Sequence, residues 1–198
     1  MLGYVGGSFG GLRLRAGISY TDTGLSTTRS VAFTGFSDKL RGKVDGSVLQ
    51  GFGELGYAIP LEGGAIEPFA GYAVARVKTG AFAENGGAAR LTGSKVTDDT
   101  GFSTLGLRGE MAMGAVSLQA SRAWRHAFGN LAPVTRASFI GGSNFSLQGA
   151  PISRDEASVE AGIGWRISSQ ITTGIRYTGT FGENGNSNGV KAALTIAF

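Results

Sequence analysis

The sequence closes on the residues Val190-Lys191-Ala192-Ala193-Leu194-Thr195-Ile196-Ala197-Phe198, in which apolar side chains alternate with small or polar ones. Successive side chains of a β-strand point to opposite faces, so Val190, Leu194, Ile196 and Phe198 share one apolar face. An apolar face that ends in an aromatic residue is typical of a strand that meets lipid and has its aromatic ring at the membrane boundary. This segment therefore favours a transmembrane β-strand over a strand of a soluble sandwich.

The composition agrees with a membrane β-protein of one domain. Glycine accounts for 35 of the 198 residues, about 18% against a usual ~7%, and there is no collagen period. Only 4 prolines occur, which argues against a disordered linker, and charged residues make up 16%, a low fraction for a soluble domain. The absence of cysteine excludes a disulfide framework and a thiolate metal site.

The sequence has neither a transmembrane helix nor a visible targeting segment. No run of 18 apolar residues occurs, and the start, Met1-Leu2-Gly3-Tyr4, lacks the basic residues and apolar stretch of a signal peptide. An outer-membrane protein needs such a signal. We therefore expect the chain to be a piece of something longer.

Alternation with period two recurs along most of the chain and predicts eight antiparallel strands. The facing of the third strand is ambiguous, but Arg76 favours Phe69, Ala73, Ala75 and Val77 as its lipid-facing set. The eight predicted strands span residues 12–20, 43–57, 68–78, 100–113, 116–125, 157–167, 171–181 and 189–198.

The connections between these strands alternate in length. Outer-membrane barrels have short periplasmic turns and longer extracellular loops, so the alternation places Phe198 on the periplasmic side. Residues 134–140 and 144–148 are expected to form an extracellular hairpin extension outside the barrel. The predicted short links are 59–65, 114–115 and 168–170, and the predicted long links are 22–42, 79–99, 126–156 and the smaller 182–188.

Charged side chains lie singly on the polar faces of the predicted strands. The net charge is +4, but without a contiguous basic stripe it does not indicate nucleic-acid binding. Mixed charges on the side opposite lipid suit a wet barrel interior. The predicted lumen-lining residues are Arg13, Arg15, Glu54, Arg108, Glu110, Glu160, Arg166, Arg176 and Lys191, and the predicted interface aromatics are Tyr20, Tyr57, Trp124, Trp165 and Tyr177.

The sequence offers little for catalysis or for cofactor binding. His126 is the only histidine, which excludes a multi-histidine metal site, and its place beside Trp124 indicates the outer interface. No G-x-S-x-G elbow is present. Glu54 and Glu110 could cleave a peptide if brought together, but ion pairing in the lumen is the favoured interpretation. We expect no catalytic residue, no cofactor and no metal.

Several phrases taken in order resemble one family. The chain is similar to the translocator, or β-domain, of autotransporters, the self-secreting proteins of Gram-negative bacteria. The phrases are Gly51-Phe52-Gly53-Glu54-Leu55-Gly56-Tyr57, Glu67-Pro68-Phe69, Phe82-Ala83-Glu84-Asn85-Gly86-Gly87, Leu105-Gly106-Leu107-Arg108, Trp124-Arg125-His126-Ala127-Phe128-Gly129 and the terminal Phe198.

The resemblance implies a fold and a function. It implies an all-β antiparallel transmembrane barrel of about twelve strands in the Gram-negative outer membrane, which exports an N-terminal passenger by type V secretion. The implied partners are outer-membrane lipid, a passenger absent from this chain and the barrel assembly machinery, which would read Phe198, Ile196, Leu194 and Val190. Residues 1–198 would form a partial barrel domain that ends in the assembly-signal strand 189–198.

The chain departs from the family pattern at its start. The match begins near what would be the fifth strand, so we expect an N-terminally truncated domain. One alternative is a stand-alone small outer-membrane barrel, either an adhesin or a porin-like protein. A soluble β-sandwich binding module is the other.

Overall fold

A computed structural model describes residues 1–197, and Phe198 lies outside the described residues. The chain is all-β, which confirms the predicted fold class. Its strands are β1 (Leu2–Phe9), β2 (Leu12–Phe33), β3 (Phe36–Tyr57), β4 (Ile59–Leu61), β5 (Gly64–Thr79), β6 (Phe82–Ala83), β7 (Leu91–Gly93), β8 (Val96–Met113), β9 (Val116–Gly129), β10 (Val134–Phe139), β11 (Asn144–Gln148), β12 (Asp155–Arg166), β13 (Ile171–Gly182) and β14 (Gly185–Ile196). Across residues 1–197 there is no helix of the length and apolarity that crossing a membrane requires.

Ten of these strands form one antiparallel sheet in the order β1-β2-β3-β5-β8-β9-β12-β13-β14, and β4 pairs with β5 beside the end of β3. The sheet is open, with β1 and β14 at its two edges. All eight predicted strands are present. The prediction missed β1, which pairs with β2 from Leu2↔Ser19 to Phe9↔Leu12.

One end of the sheet carries only short connections, and we call it the short-turn end. It contains the predicted short links, the turn at Gly114 among them, where the glycine adopts φ 60°. The turn between β1 and β2 lies at the same end, because Leu12 of β2 is paired with Tyr57. β14 runs toward this end, since Ile196 pairs with Ile171.

The opposite end, which we call the long-loop end, differs from the prediction in two places. Residues 22–42 are not a loop, because β2 and β3 stay paired up to Phe33↔Phe36 and turn at Gly35 with φ 83°. Residues 182–188 are not a loop either, since β13 and β14 remain paired up to Gly182↔Gly185. The sequence at these tips is polar and glycine-rich and shows no apolar alternation. It forms strand nevertheless, because the backbone pairing between the two strands continues up to the turn.

The two long connections at this end contain a second, four-stranded sheet in the order β11-β10-β7-β6. The predicted hairpin of residues 134–140 and 144–148 is confirmed as β10 and β11, separate from the main sheet. This second sheet is attached to the projecting β2–β3 hairpin, where Arg41 and Asn85 exchange backbone hydrogen bonds of 2.9 and 2.8 Å. Leu40 is fully buried beside this bridge.

The main sheet has two faces of opposite character. The apolar face carries Leu14, Ile18, Leu105 and Ile163, all of them between 44% and 59% exposed. The charged face carries the side chains at the alternate positions of the same strands, such as Arg15 next to Leu14. Side chains alternate between the two faces along each strand, and residues that are paired across neighbouring strands point to the same face. These two rules explain the separation.

The predicted facing of the third strand is wrong. In β5, Phe69 is paired with Gly56 and Gly106, and Glu67 is paired with Arg108, so both belong to the charged face together with Ala73, Ala75 and Val77. Arg76 lies instead on the apolar face, where its guanidinium binds Asp99 at 2.6 and 2.9 Å near the long-loop end. A cation can stay on this face there because a carboxylate pairs with it.

Candidate functional site

The predicted lumen-lining residues all lie on the charged face of the main sheet. The register aligns Arg15 with Glu54, Ser121 with Glu160 and Arg176 with Lys191 across neighbouring strands. Together with Glu67 of β5 they form a charged belt from β2 to β14, whose predicted members are Arg13, Arg15, Glu54, Arg108, Glu110, Glu160, Arg166, Arg176 and Lys191.

The centre of the belt is a cluster of three arginines and two glutamates. Arg15 Nη1 lies 2.8 Å from Glu54 Oε1 and 2.8 Å from Glu67 Oε1, so one nitrogen joins two carboxylates. Arg13 Nη1 lies 3.1 Å from the second oxygen of Glu67. Arg108 binds Glu54 through Nη2 and places Nε 3.5 Å from Glu67. Each carboxylate therefore pairs with more than one cation.

Glu67 occupies the middle of this cluster and is almost fully buried, with 3% of its surface exposed. The sequence prediction omitted it from the lumen-lining set. Period two places Glu67 and Arg76 on opposite faces of one strand, but it does not decide which of the two lies on the charged face. The prediction placed the wrong one of the two inside, because the carboxylate that pairs with Arg76 comes from the neighbouring strand β8.

The strands around the cluster leave room for it. A Cβ built on Gly56 would overlap the Glu67 carboxylate. This position therefore favours glycine, because the carboxylate lies close to the backbone. The Arg108 guanidinium lies over the Phe69 ring, 3.9 Å from its centroid. This stacking adds a cation–π contact to the ion pairs and fixes the plane of the guanidinium.

Two smaller groups extend the belt toward β14. Arg176 donates to Glu160 at 2.7 Å and to Gln119 Oε1 at 2.9 Å. Arg125 donates to Glu156 at 2.7 Å and lies 5.0 Å over the Phe102 ring. Most arginines of the belt are thus paired with a carboxylate, whereas Arg166, Lys191 and Glu110 take part in no ion pair among residues 1–197.

The cluster gives no support to peptide cleavage by Glu54 and Glu110. Glu54 is held by Arg15 and Arg108, and the Glu110 side chain takes part in no hydrogen bond or ion pair among residues 1–197. Within the same residues no group of three histidine, cysteine, aspartate or glutamate side chains could hold a metal ion. The arrangement can bind and orient charge, but it presents no paired acid and base.

The predicted interface aromatics lie on the apolar face at two levels. Tyr57 and Trp165 are near the short-turn end, 55% and 57% exposed. Tyr20, Trp124 and Tyr177 lie farther along their strands, and each donates a hydrogen bond to a polar side chain, at 2.7, 3.0 and 2.6 Å. Four further aromatics of this face, Phe9, Tyr72, Phe128 and Phe181, are not among the predicted interface residues.

His126 lies on the same face, beside Trp124 as expected, with ring centroids 5.7 Å apart. Its Nδ1 is 2.7 Å from Asp155 Oδ1, which also accepts the Trp124 indole N–H. Asp155 therefore ties two aromatic side chains of β9 to the start of β12.

The predicted assembly-signal residues sit on the edge strand β14. Val190, Leu194 and Ile196 share the apolar face and are 73%, 63% and 56% exposed. Phe198 is outside the described residues. Among residues 1–197, β14 pairs only with β13, so its other side is open to contact along the edge of the sheet.

Comparison with known proteins agrees with this geometry. Two extracellular serine proteases of Serratia marcescens are 34% and 32% identical to the chain over 195 residues, which is 96% of the chain and 19% of each relative. The chain thus spans about a fifth of their length. The translocator domain of autotransporter NalP from Neisseria meningitidis superposes with a TM-score of 0.67 at 20% identity, over 100% of the chain and 65% of that domain.

The likeness to that solved structure supports the fold alone, since the sequences are so different. The family assignment rests on a model of the autotransporter beta-domain, which matches residues 1–178. That match confirms the resemblance seen in the sequence phrases, and the chain belongs to the autotransporter β-domain family.

Proposed function

We propose that the chain is part of an outer-membrane translocator that anchors an N-terminal passenger and helps to export it to the cell surface. The observation that carries this proposal is the separation of the main sheet into an apolar face and a charged face. A strand that is apolar on one side and charged on the other suits the wall between lipid and a wet passage.

In this proposal the apolar face meets the lipid of the Gram-negative outer membrane. Tyr57 and Trp165 mark the periplasmic boundary, and Tyr20, Trp124 and Tyr177 mark the external one. The long-loop end with its second sheet then lies outside the cell. Support comes from the large exposed apolar side chains of this face, which a soluble protein rarely presents side by side.

The charged face lines the lumen in this proposal. Its cations and carboxylates are mostly paired with one another, as in the cluster around Glu67. Pairing keeps the wall polar while it weakens the field of the single charges. A polypeptide could slide along such a wall without being held by any one charge, which suits export of a passenger.

Several partners belong to the same proposal. The passenger precedes the β-domain, as in a self-secreting protein, and any enzymatic activity resides in the passenger while the β-domain is non-catalytic. The assembly machinery reads the strand of residues 189–198, with Val190, Leu194, Ile196 and Phe198 as its apolar signal. Residues 1–198 act as one β-domain. The support is that β14 is an edge strand of the sheet and that its apolar side chains are exposed.

The test uses the full-length protein expressed in a Gram-negative host. Ile175→Lys puts a cation on the apolar face of β13, where Ile175 is 55% exposed. A lysine in lipid costs about 2–4 kcal/mol near the middle of the bilayer. We expect a several-fold loss of the heat-modifiable folded band in outer-membrane fractions and of passenger at the cell surface.

The matched control is Thr178→Lys, on the charged face of the same strand. We expect it to keep both the folded band and the surface passenger. Equal tolerance of the two lysines would contradict the membrane placement. A folded barrel with no passenger at the surface in the unmodified protein would contradict export while leaving the barrel intact.

A further inference from the structure

The apolar face contains a groove of about 590 Å³ that spans β5 to β13. Its floor is made of small residues in register, Gly109↔Ala120 and Ala120↔Ala161. Its sides are made of larger apolar residues, namely Ile66, Met111, Leu118, Ile163, Ile175 and Tyr177. The groove is therefore a depression bounded by larger apolar side chains.

A single cation stands at the end of this groove nearer the long-loop end. Arg122 follows Ala120 by two residues on β9, so it shares the apolar face and is registered with Leu107 and Val159. Its side chain is exposed. Arg122 is not one of the lining residues, but it is the first charged side chain of this face beyond the groove along β9.

Arg122 lacks a partner of the kind that Arg76 and Asp155 have on this face. Arg76 binds Asp99, and Asp155 is already bound by His126 and Trp124. Among the described residues, no ion pair or side-chain hydrogen bond includes Arg122. An arginine on a lipid-facing strand costs from about 0–1 kcal/mol near the interface to 2–4 at the midplane, unless a partner compensates it.

We propose that the groove and Arg122 together bind one anionic phospholipid. The guanidinium holds the phosphate, which it can bind through two parallel N–H donors, and an acyl chain lies in the groove. A lipid with an anionic head and an apolar tail is complementary to an apolar groove with one cation beyond its end. The inference rests on the proposed placement of the apolar face in lipid.

A simpler outcome would have Arg122 extend its guanidinium to the water at the membrane surface, with no bound lipid. The two outcomes differ in a measurable way. Snorkelling gives no preference among lipid head groups, whereas the proposed site prefers an anionic head.

The experiment is native mass spectrometry of the full-length protein in detergent, titrated with phosphatidylglycerol or with phosphatidylcholine of the same acyl chains. We expect one phosphatidylglycerol to be retained preferentially. Arg122→Leu should weaken its retention about tenfold while leaving phosphatidylcholine unchanged, and Arg122→Lys should lose less. Ala161→Leu fills the floor of the groove and should weaken retention of both lipids.

Lys78→Leu is the matched control, since Lys78 is an exposed cation of the same face outside the groove. It should leave retention unchanged. Equal retention of the two lipids, or an equal loss in Lys78→Leu, would overturn the site.

Heat-modifiable migration is checked first, so that failure of the barrel is separated from failure of lipid binding. If Arg122→Leu does not fold, then Arg122→Lys and Ala161→Leu decide the question. Unchanged retention in both of these folded variants would likewise overturn the proposal.

Discussion

The Arg29 guanidinium binds the Glu84 carboxylate through two hydrogen bonds, from Nε at 3.2 Å and from Nη2 at 2.6 Å. The same carboxylate accepts the backbone N–H of Leu91 at 2.9 Å, and Arg29 also donates to the Ala89 carbonyl at 2.8 Å. Glu84 is 7% exposed. This pair therefore joins the projecting β2–β3 hairpin to the second sheet at the long-loop end.

Acidification should loosen this junction. The pKa of Glu84 lies below its ordinary value, because Arg29 donates to the charged carboxylate; burial opposes this, and the Leu91 N–H supports it. A lowered pKa stabilises the folded junction in full above the unfolded value of about 4.3, and this contribution is lost as the pH falls through the lower folded value. We expect hydrogen exchange of the β7 amides, corrected for its intrinsic pH dependence, to become faster below about pH 4.

Glu84→Gln is the variant that isolates this effect. It should speed exchange at Leu91 about tenfold or more at neutral pH, as expected from losing a hydrogen bond to a charged group, and remove the acid step. Asp45→Asn is the control, because the Lys43–Asp45 pair is largely exposed. An acid step that persists in Glu84→Gln would assign the loosening to another carboxyl.

Gly56→Ala should destabilise the folded barrel by about 1–3 kcal/mol, because the new Cβ overlaps a Glu67 carboxylate that three arginines hold in place. Gly53→Ala on the same strand is the control, since a Cβ there meets nothing within 4 Å. The measurement is the temperature at which the folded band disappears on a gel. The close approach would be refuted if both variants lost stability equally.

The sequence predicts most of the fold, because period two needs only local information. It fails where that signal is weak. β1 contains Gly3, Gly6 and Gly7, which have no side chain to mark a face, so pairing with β2 alone makes it a strand. The tip of the β2–β3 hairpin is similar, since its polar residues resemble a loop and its pairing is decided by the partner strand.

The sequence also predicts the charged belt, except in β5, where charged residues occur on both faces of one strand. Local pattern cannot decide between Glu67 and Arg76 in β5. The choice depends on which neighbours supply opposite charge, and those are Arg13, Arg15 and Arg108 on one face and Asp99 on the other. Such partners lie on other strands and become visible only after the register is known.

Glu67→Gln should be the most damaging neutral substitution in the belt. It removes the carboxylate that three arginines share. Arg15 and Arg108 keep Glu54 as a partner, whereas Arg13 keeps no ion-pair partner among residues 1–197, so we expect a loss of about 3 kcal/mol. Glu110→Gln is the control, because Glu110 makes no ion pair among residues 1–197. Urea unfolding of the purified protein in detergent, followed on gels, measures the difference. A smaller effect at Glu67 than at Glu110 would show that the cluster does not stabilise the sheet.

The facing of β5 can be tested directly with neighbouring cysteines. The chain contains no cysteine, so Val74→Cys and Ala75→Cys each introduce one labelling site in this domain. Val74 is 49% exposed on the apolar face, and Ala75 lies on the charged face. A fluorophore on Cys at 74 should be quenched several-fold more by brominated lipid chains, whereas one at 75 should be quenched more by iodide in water. The reverse pattern would restore the facing expected from Arg76 and would break the ion-pair cluster around Glu67, because adjacent residues of a strand cannot share a face.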